Sequence, residues 1–456
     1  MIDFYNEVLK EKENLLTDLK TLCQIPSVLD KSTAKGNQPF GAGCRQALDA
    51  MLAIGKRDGF VTDDVDGYAG SIDIGEGEDV FGILGHLDVV PVNKTGWNYP
   101  QFDATLDGDR LYGRGVADDK GPLLAAYYAA KIVNRMQFDR RYKMRVIFGC
   151  DEENGSSCVD YYFKHRPYPA MGFTPDADFP VVYGEKAISQ YTLSGDFSQH
   201  DIIGIYGGKR FNVVPSVAEA YLKGDVKDYE ASFKAFLAQY SLKGMIGKEG
   251  NVVKLLVNGR SAHGSMPQKG INAVVYLCHY LNSISKNALV DFVDRYFFED
   301  TSGKALGIAN EGRLGTTTVN LGVLNYKEGH AQIKLDIRYS DELTHKKLQE
   351  TLMSHAKEVG FNEKHNDTDA LYVDPNSELV TKLHASYVEY TNDHDHHPQV
   401  IGGGTYAKEM PNCVAFGAEF PGRDNHMHED NETILLDELL KSTAIYAKAL
   451  YDLIKK

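Results

Sequence analysis

Histidine and carboxylate residues recur in this chain where strands are expected to stop or helices to start. His86-Leu87-Asp88 closes an apolar run, and Asp118-Asp119 stands just ahead of Pro122. Glu152-Glu153 follows a second apolar run, Asp176 and Asp178 follow Thr174-Pro175, and His426 and His428 lie near the end. Two adjacent divalent ions need several hard or borderline ligands, usually with one carboxylate shared between them. In an extended His-x-Asp both side chains share one face. The imidazole can then bind an ion while the Asp holds its other ring nitrogen. Adjacent acids at a strand end point different ways, so one can bind metal while the other works on water. Each motif alone is common as surface charge. Together, at the ends of apolar elements, they argue for a dinuclear metal centre and leave open which acids bind.

The elements that must carry these residues are legible in outline. Periodicity predicts helices over residues 1–28, ending near Ile25-Pro26, and 41–55. Val80 to Gly85 is apolar throughout, like a central strand buried on both faces. Pro122 fits the first turn of a helix over 123–133, and Lys143 to Cys150 reads as another strand. Ligands in open α/β sheets bind at the carboxyl ends of strands, where these motifs fall. After Glu185 the composition changes. Strands (186–193, 252–257, 332–337) and helices (229–240, 270–283, 343–358) alternate without dense acidic or His motifs. Helices over 377–391 and 432–454 complete the chain. The fold class expected is α/β with two domains. A catalytic domain, with a mainly parallel sheet flanked by helices, is formed by residues 1–185 and 373–456. An α+β lid domain is inserted at 186–372.

Composition narrows the function classes. A chain of 456 residues exceeds what one core usually supports. The net charge of −15, without a Lys/Arg-rich stripe, argues against nucleic-acid partners. The start is charged and amphipathic rather than a signal peptide, and no apolar run reaches membrane-helix length. The six cysteines (23, 44, 150, 158, 278, 413) form no CxxC pair. Reduced thiols and a cytoplasmic location are expected.

The motifs His86-Leu87-Asp88-Val89-Val90-Pro91, Gly113-Arg114-Gly115 with Asp118-Asp119-Lys120-Gly121, and Glu152-Glu153 resemble the signatures of the M20 family of metallopeptidases. Gly259 to Pro267 resembles that family's lid-domain histidine motif. Asp336-Ile337-Arg338-Tyr339 and Gly402 to Ala407 resemble its substrate-holding motifs. The likeness runs in order over nearly the whole chain, and its wording is most similar to the bacterial dipeptidase V (Xaa-His dipeptidase, carnosinase-like) branch. The resemblance implies that Asp118 bridges two ions, His86 and Asp176 completing one site and Glu153 and His428 the other. Asp178 is the rival to Asp176. His428 is preferred to His426 because Asn431-Glu432 follows it. Glu152 is implied as general base, taking a proton from a water between the ions and passing it to the leaving amine. His263 would assist the oxyanion from the lid, which implies closure over the substrate. Arg338, Asn212 and the Gly403, Gly404, Thr405 and Tyr406 loop would hold the peptide, Arg338 by its planar fork. Ser340 departs from the proline common after the Asp-Ile-Arg-Tyr motif.

The expected function is a dinuclear dipeptidase acting on small dipeptides through a metal-bridging hydroxide. Zinc is the first choice of ion, with manganese or cobalt as alternatives. The chain would act as a monomer, or as a homodimer with His263 donated in trans. The rival activities are an N-acyl amino acid deacylase or a succinyl-diaminopimelate desuccinylase. A non-catalytic metal-binding protein is a remoter alternative, since base and ligands are all present. The run Asp393-His394-Asp395-His396-His397 is expected to be solvated surface rather than a metal site.

Overall fold

The computed structural model describes residues 2–198 and 201–456. They form two compact units. The first comprises residues up to Gly184, Leu371–Gln399 and Gly404–Lys456, and the second comprises Glu185–Ala370 and Val400–Gly403. The return of 400–403 to the second unit has a local cause. Lys186 N–H donates to the Ile401 carbonyl oxygen at 3.2 Å, and the Arg338 guanidinium donates to the Gly402 carbonyl oxygen.

The first unit is built on a sheet whose centre is parallel. Asp79–His86 lies between Tyr142–Gly149 and Met171–Thr174 and runs parallel to both. Cys413–Ala415 extends this block, parallel to Met171–Thr174. The hairpin Val61–Val65 and Ala69–Ile74 adds antiparallel strands on one side, and Val182–Glu185 pairs antiparallel with Cys413–Ala415 on the other. Being central, Phe81, Ile83 and Leu84 are wholly buried, which accounts for a continuous apolar run rather than alternation. The expected fold class is therefore found: mixed α/β with a parallel core.

Helices Phe4–Cys23, Lys120–Asn134 and Leu436–Ile454 pack together beside the sheet. Lys120–Asn134 is buried all round, hence its run of Leu, Ala and Tyr without a polar face. Lys120 is also fully buried. Its ammonium donates to the carbonyl oxygens of Leu22 and Ile25, both at 2.9 Å, and so ends the first helix at its open carbonyls.

The last helix corrects an expectation. It begins at Leu436, and Thr433–Leu435 is a strand paired with Arg110–Tyr112. Glu432 thus lies ahead of both elements. The β-branched Thr433 and Ile434 favour the pleated pairing over a helical first turn.

The second unit is an eight-stranded antiparallel sheet with helices Val226–Gln239, Ala273–Ile284, Ala288–Phe297 and His345–Glu358. Its core alternates along the strands. In Ala187–Asp196 every second residue is buried, so one sheet face is packed and the other is not.

Candidate metal centre

His86 closes the central strand opposite Gly149. Its ring is fully buried, with Nδ1 3.0 Å from the Asp88 carbonyl oxygen. That contact assigns the Nδ1 proton and turns Nε2 toward the acids. Nε2 lies 3.0 Å from Asp118 Oδ1 and 3.5 Å from Asp176 Oδ2. On the other side of Asp118, His428 Nε2 lies 2.8 Å from Oδ2 and 3.1 Å from Glu153 Oε2. Each Asp118 oxygen thus faces a different histidine. Among the described residues, two groups place their donor atoms within 4.8 Å of one another: His86, Glu152 and Asp176, and Asp118, Glu153 and His428.

This donor set fits divalent cations. Two donors about 2.0–2.2 Å from a tetrahedral ion lie roughly 3.4 Å apart; the imidazole nitrogens and carboxylate oxygens here stand 2.8–3.5 Å apart, so a small outward shift would admit an ion. The electrostatics point the same way. Hydrogen bonds to Asp118 and Glu153 push His428 up to about 10. Burial comes first in raising Glu152 well above the carboxylate range, with Asp176, Asp118 and Glu153 adding to it against His86. Burial likewise raises Glu153. Carboxylates crowded in this way lack positive charge, which bound cations would provide.

The supporting residues differ from the sequence expectation at Asp88. The nearest acceptor for the His86 ring proton is the Asp88 main-chain carbonyl at 3.0 Å, with the Asp88 carboxylate farther off, Oδ1 standing 3.6 Å from Nδ1. The carboxylate instead accepts the N–H of Glu152 (3.1 Å) and of Glu153 (3.2 Å), because the 152–154 turn folds its N–H groups onto it. Asp88 therefore orients the Glu pair. Asp119, joined to Asp118 by a cis peptide, is the partner that His86 has on its own main chain: Oδ2 accepts the His86 N–H at 3.0 Å. Gly85 makes room for it, since a Cβ there would meet that oxygen at 2.5 Å. The signal for Asp119 was present in Asp118-Asp119-Lys120-Gly121, but only the fold reveals which neighbour it serves.

Tyr406 is a second correction. It is fully buried, so its side chain cannot touch a peptide. Its ring meets that of His86 edge-on at 5.9 Å, and its hydroxyl lies 2.8 Å from Cys158 Sγ. Gly149 leaves that space, where a Cβ would meet both atoms at 2.6 Å. Gly404 and Thr405 do reach open space. They line a cavity of about 280 Å³ with Asp118, Glu152, Asp176 and His428.

The two open choices separate by position. His426 points to Glu429 at 3.4 Å and Asp424 at 3.8 Å, outside both donor groups. Asp178 interacts with Glu419, and burial raises its carboxyl, whereas Asp176 faces His86. In the Asp393–His397 run, Asp393 binds Tyr387 and His396 and the histidines are exposed; none joins a donor group.

The second unit assembles the remaining residues. Gly264 N–H donates to the Asn212 carbonyl oxygen at 2.7 Å, joining the Asn212 and His263 loops. His263 Nδ1 lies 2.7 Å from Ser265 Oγ. Local desolvation and the Arg338 charge hold its imidazole below the ordinary range, although the residue is surface-exposed. Arg338 is buried and engaged with Asp336 at 2.8 and 3.2 Å and with the Gly402 carbonyl oxygen. Gly403 follows in the same unit.

Known proteins resemble this chain in sequence and in fold. Residues 82–452 match the peptidase family M20/M25/M40. A protein of Staphylococcus epidermidis (strain ATCC 12228 / FDA PCI 1200) named "Putative dipeptidase" is 38% identical over 463 residues, covering 98% of each chain. Human carnosine dipeptidase 1 has a similar structure, with a TM-score of 0.55 at 15% identity over 98% of both chains. The di-peptidase Dug1p from Saccharomyces cerevisiae does too, with a TM-score of 0.59 at 14% identity over 98% of this chain and 97% of its own. The structural likenesses show the fold; the sequence matches, spanning most of the chain, show that this protein is a peptidase belonging to family M20/M25/M40.

Proposed function

We propose that this peptidase hydrolyses dipeptides with two divalent ions, zinc being the first choice for a mixed His and carboxylate set. The observation that carries the reading is Asp118, with one oxygen toward His86 and the other toward His428. His86 and Asp176 would complete one ion's ligands and Glu153 and His428 the other's. Bound there, the ions would lower the pKa of a water toward neutrality and offset charge on a developing oxyanion.

Glu152 stands among the donors of the first group, so it could serve as a ligand. We assign it instead as general base, since three other donors already face His86 or His428 and its raised proton affinity suits the task. It takes a proton from the attacking water as the carbon–oxygen bond forms. It returns the proton to the amine as the carbon–nitrogen bond breaks. Gly404 and Thr405 line the cavity, and their proposed contact with an anionic end of the substrate rests on the family motif. For His263, Asn212, Arg338 and Gly403 the proposed substrate roles rest on the family motifs. The dipeptide class itself is supported by the relative's printed name and by the small cavity. A cytoplasmic location is proposed from the six free, buried cysteines.

The test is a panel of free dipeptides and N-acyl amino acids, run on stripped protein reloaded with zinc, manganese or cobalt. Turnover of dipeptides is expected. Turnover confined to the acyl substrates would point to a deacylase or desuccinylase. With the best substrate, Glu152→Gln should lower kcat by about 10²- to 10⁴-fold while metal content stays unchanged.

A further inference from the structure

Glu432 is fully buried, and the proposed chemistry gives it no part. Its Oε1 accepts three main-chain N–H groups, from Gly115 at 3.0 Å, Ala117 at 2.9 Å and Asp118 at 3.1 Å. Its Oε2 receives Arg114 Nη1 at 2.6 Å, and Arg114 Nη2 donates to the Glu429 carbonyl oxygen at 3.1 Å. Gly113 N–H adds a main-chain bond to the Glu432 carbonyl oxygen at 3.0 Å. A carboxylate met by three N–H groups and a guanidinium is a strong and geometrically exacting joint. It ties together segments far apart in the chain: Ala117 and Glu432 are 315 positions apart. One segment carries Asp118 and the other His428.

The second segment needs such a joint. His426, His428 and Asn431 all have left-handed backbone, with φ of 53°, 63° and 65°. That conformation is sterically disfavoured for histidine and persists where its surroundings impose it. The surroundings here are Arg114 on Glu429, Asn93 on the Asp430 carboxylate at 3.0 Å, and the Asn98 N–H on Asn431 Oδ1 at 2.7 Å. Other donors of both groups are fixed elsewhere. Asp119 holds the His86 main chain, and Asp88 holds those of both Glu152 and Glu153.

We propose that Glu432, braced by Arg114, is a positioning residue for one of the two metal groups. It sets Asp118 and His428 at the separation at which they share an ion with Glu153, and reaches the His86 group only through Asp118, whose Oδ1 faces His86. This rests on the dinuclear reading above.

Stripped full-length protein titrated with zinc against a chromophoric chelator reads both affinities without activity. The parent is expected to take two equivalents. Glu432→Gln keeps the side chain's size but loses its charge. It should weaken one ion about 10- to 100-fold, the usual cost of losing a residue that orients a ligand, and the other, which shares only Asp118 with it, clearly less. Arg114→Lys should move the same ion in the same direction, and covers the case in which Glu432→Gln does not fold. Adding Glu432→Gln to His428→Ala, which already breaks that group, should lower the remaining ion's affinity by no more than that smaller factor. A purely structural role would instead weaken both ions in step. That result, or parental affinity for both ions in both variants, would overturn the proposal. A parent binding fewer than two ions would overturn the dinuclear reading itself.

Discussion

His426 and His428 stand two positions apart, but only His428 meets the acids, at 2.8 and 3.1 Å. His428→Ala is therefore expected to cost one equivalent of bound metal. His426→Ala should keep both, as measured by metal content after dialysis at fixed free zinc. Loss of an ion from the His426 variant would reverse the assignment. The residues of the two donor groups were legible as a cluster because their chemistry is rare in combination: imidazole and carboxylate at successive strand ends. The residues supporting them were not. Asp88 was expected on the imidazole because His-x-Asp places two side chains on one face. The chain instead turned the Asp88 carbonyl to the ring and its carboxylate to the N–H groups of Glu152 and Glu153. Such choices are made by segments far along the chain. Tyr406 is similar. Nothing local to its glycine-rich loop told a substrate contact from a ring packed behind His86.

The helices beside the sheet are joined by a polar knot as well as by apolar packing. Asp58, which caps the helix Ala42–Arg57, receives Lys131 at 2.9 Å, Tyr127 at 2.8 Å and Arg57 at 3.0 Å. Asp18 in the first helix receives Arg57 at 2.7 Å and Tyr128 at 2.6 Å. Burial alone would raise the Asp58 carboxyl. Hydrogen bonds from Arg57, Lys131 and Tyr127 outweigh it and hold the carboxyl at about 2. The folded protein thus binds this proton less readily than an unfolded chain, whose Asp titrates near ~3.9. Its stabilising contribution is full above that value and is lost as pH falls through about 2. Asp58→Asn should lower the urea midpoint at pH 7, and the gap to the parent should narrow below about pH 4. A gap independent of pH would mean that packing, not charge, sets the effect. Long periodic elements such as Leu436–Ile454 were legible within a few residues. Short elements were not, Thr433–Leu435 among them, because three residues carry no period and their pairing partner Arg110–Tyr112 is distant in sequence.

At the scale of the molecule, every donor in the two groups belongs to the first unit. Metal should therefore raise the melting transition of that unit and leave that of the second unchanged. At 100 times Kd each site adds about 2.7 kcal/mol. Calorimetric scans at rising free zinc would check this, and a transition insensitive to zinc would count against both groups. No helix among the described residues is long and apolar enough to cross a membrane. That the chain divides was legible from length and from the change after Glu185. The brief detour of 400–403 was not, since it depends on single bonds to Ile401 and Gly402. The strand Cys413–Ala415 gives the division a further consequence. It lies between Met171–Thr174 and Val182–Glu185 in the sheet, although the whole second unit precedes it in sequence. On the ribosome, at about 5–20 residues per second, the first segment must wait many seconds for the strand and the histidine that complete it. The second unit, continuous except for 400–403, can begin to fold first. The second donor group is thus complete only once residue 428 has been made, and a nascent chain halted before residue 413 would carry its acids with no second histidine beside them.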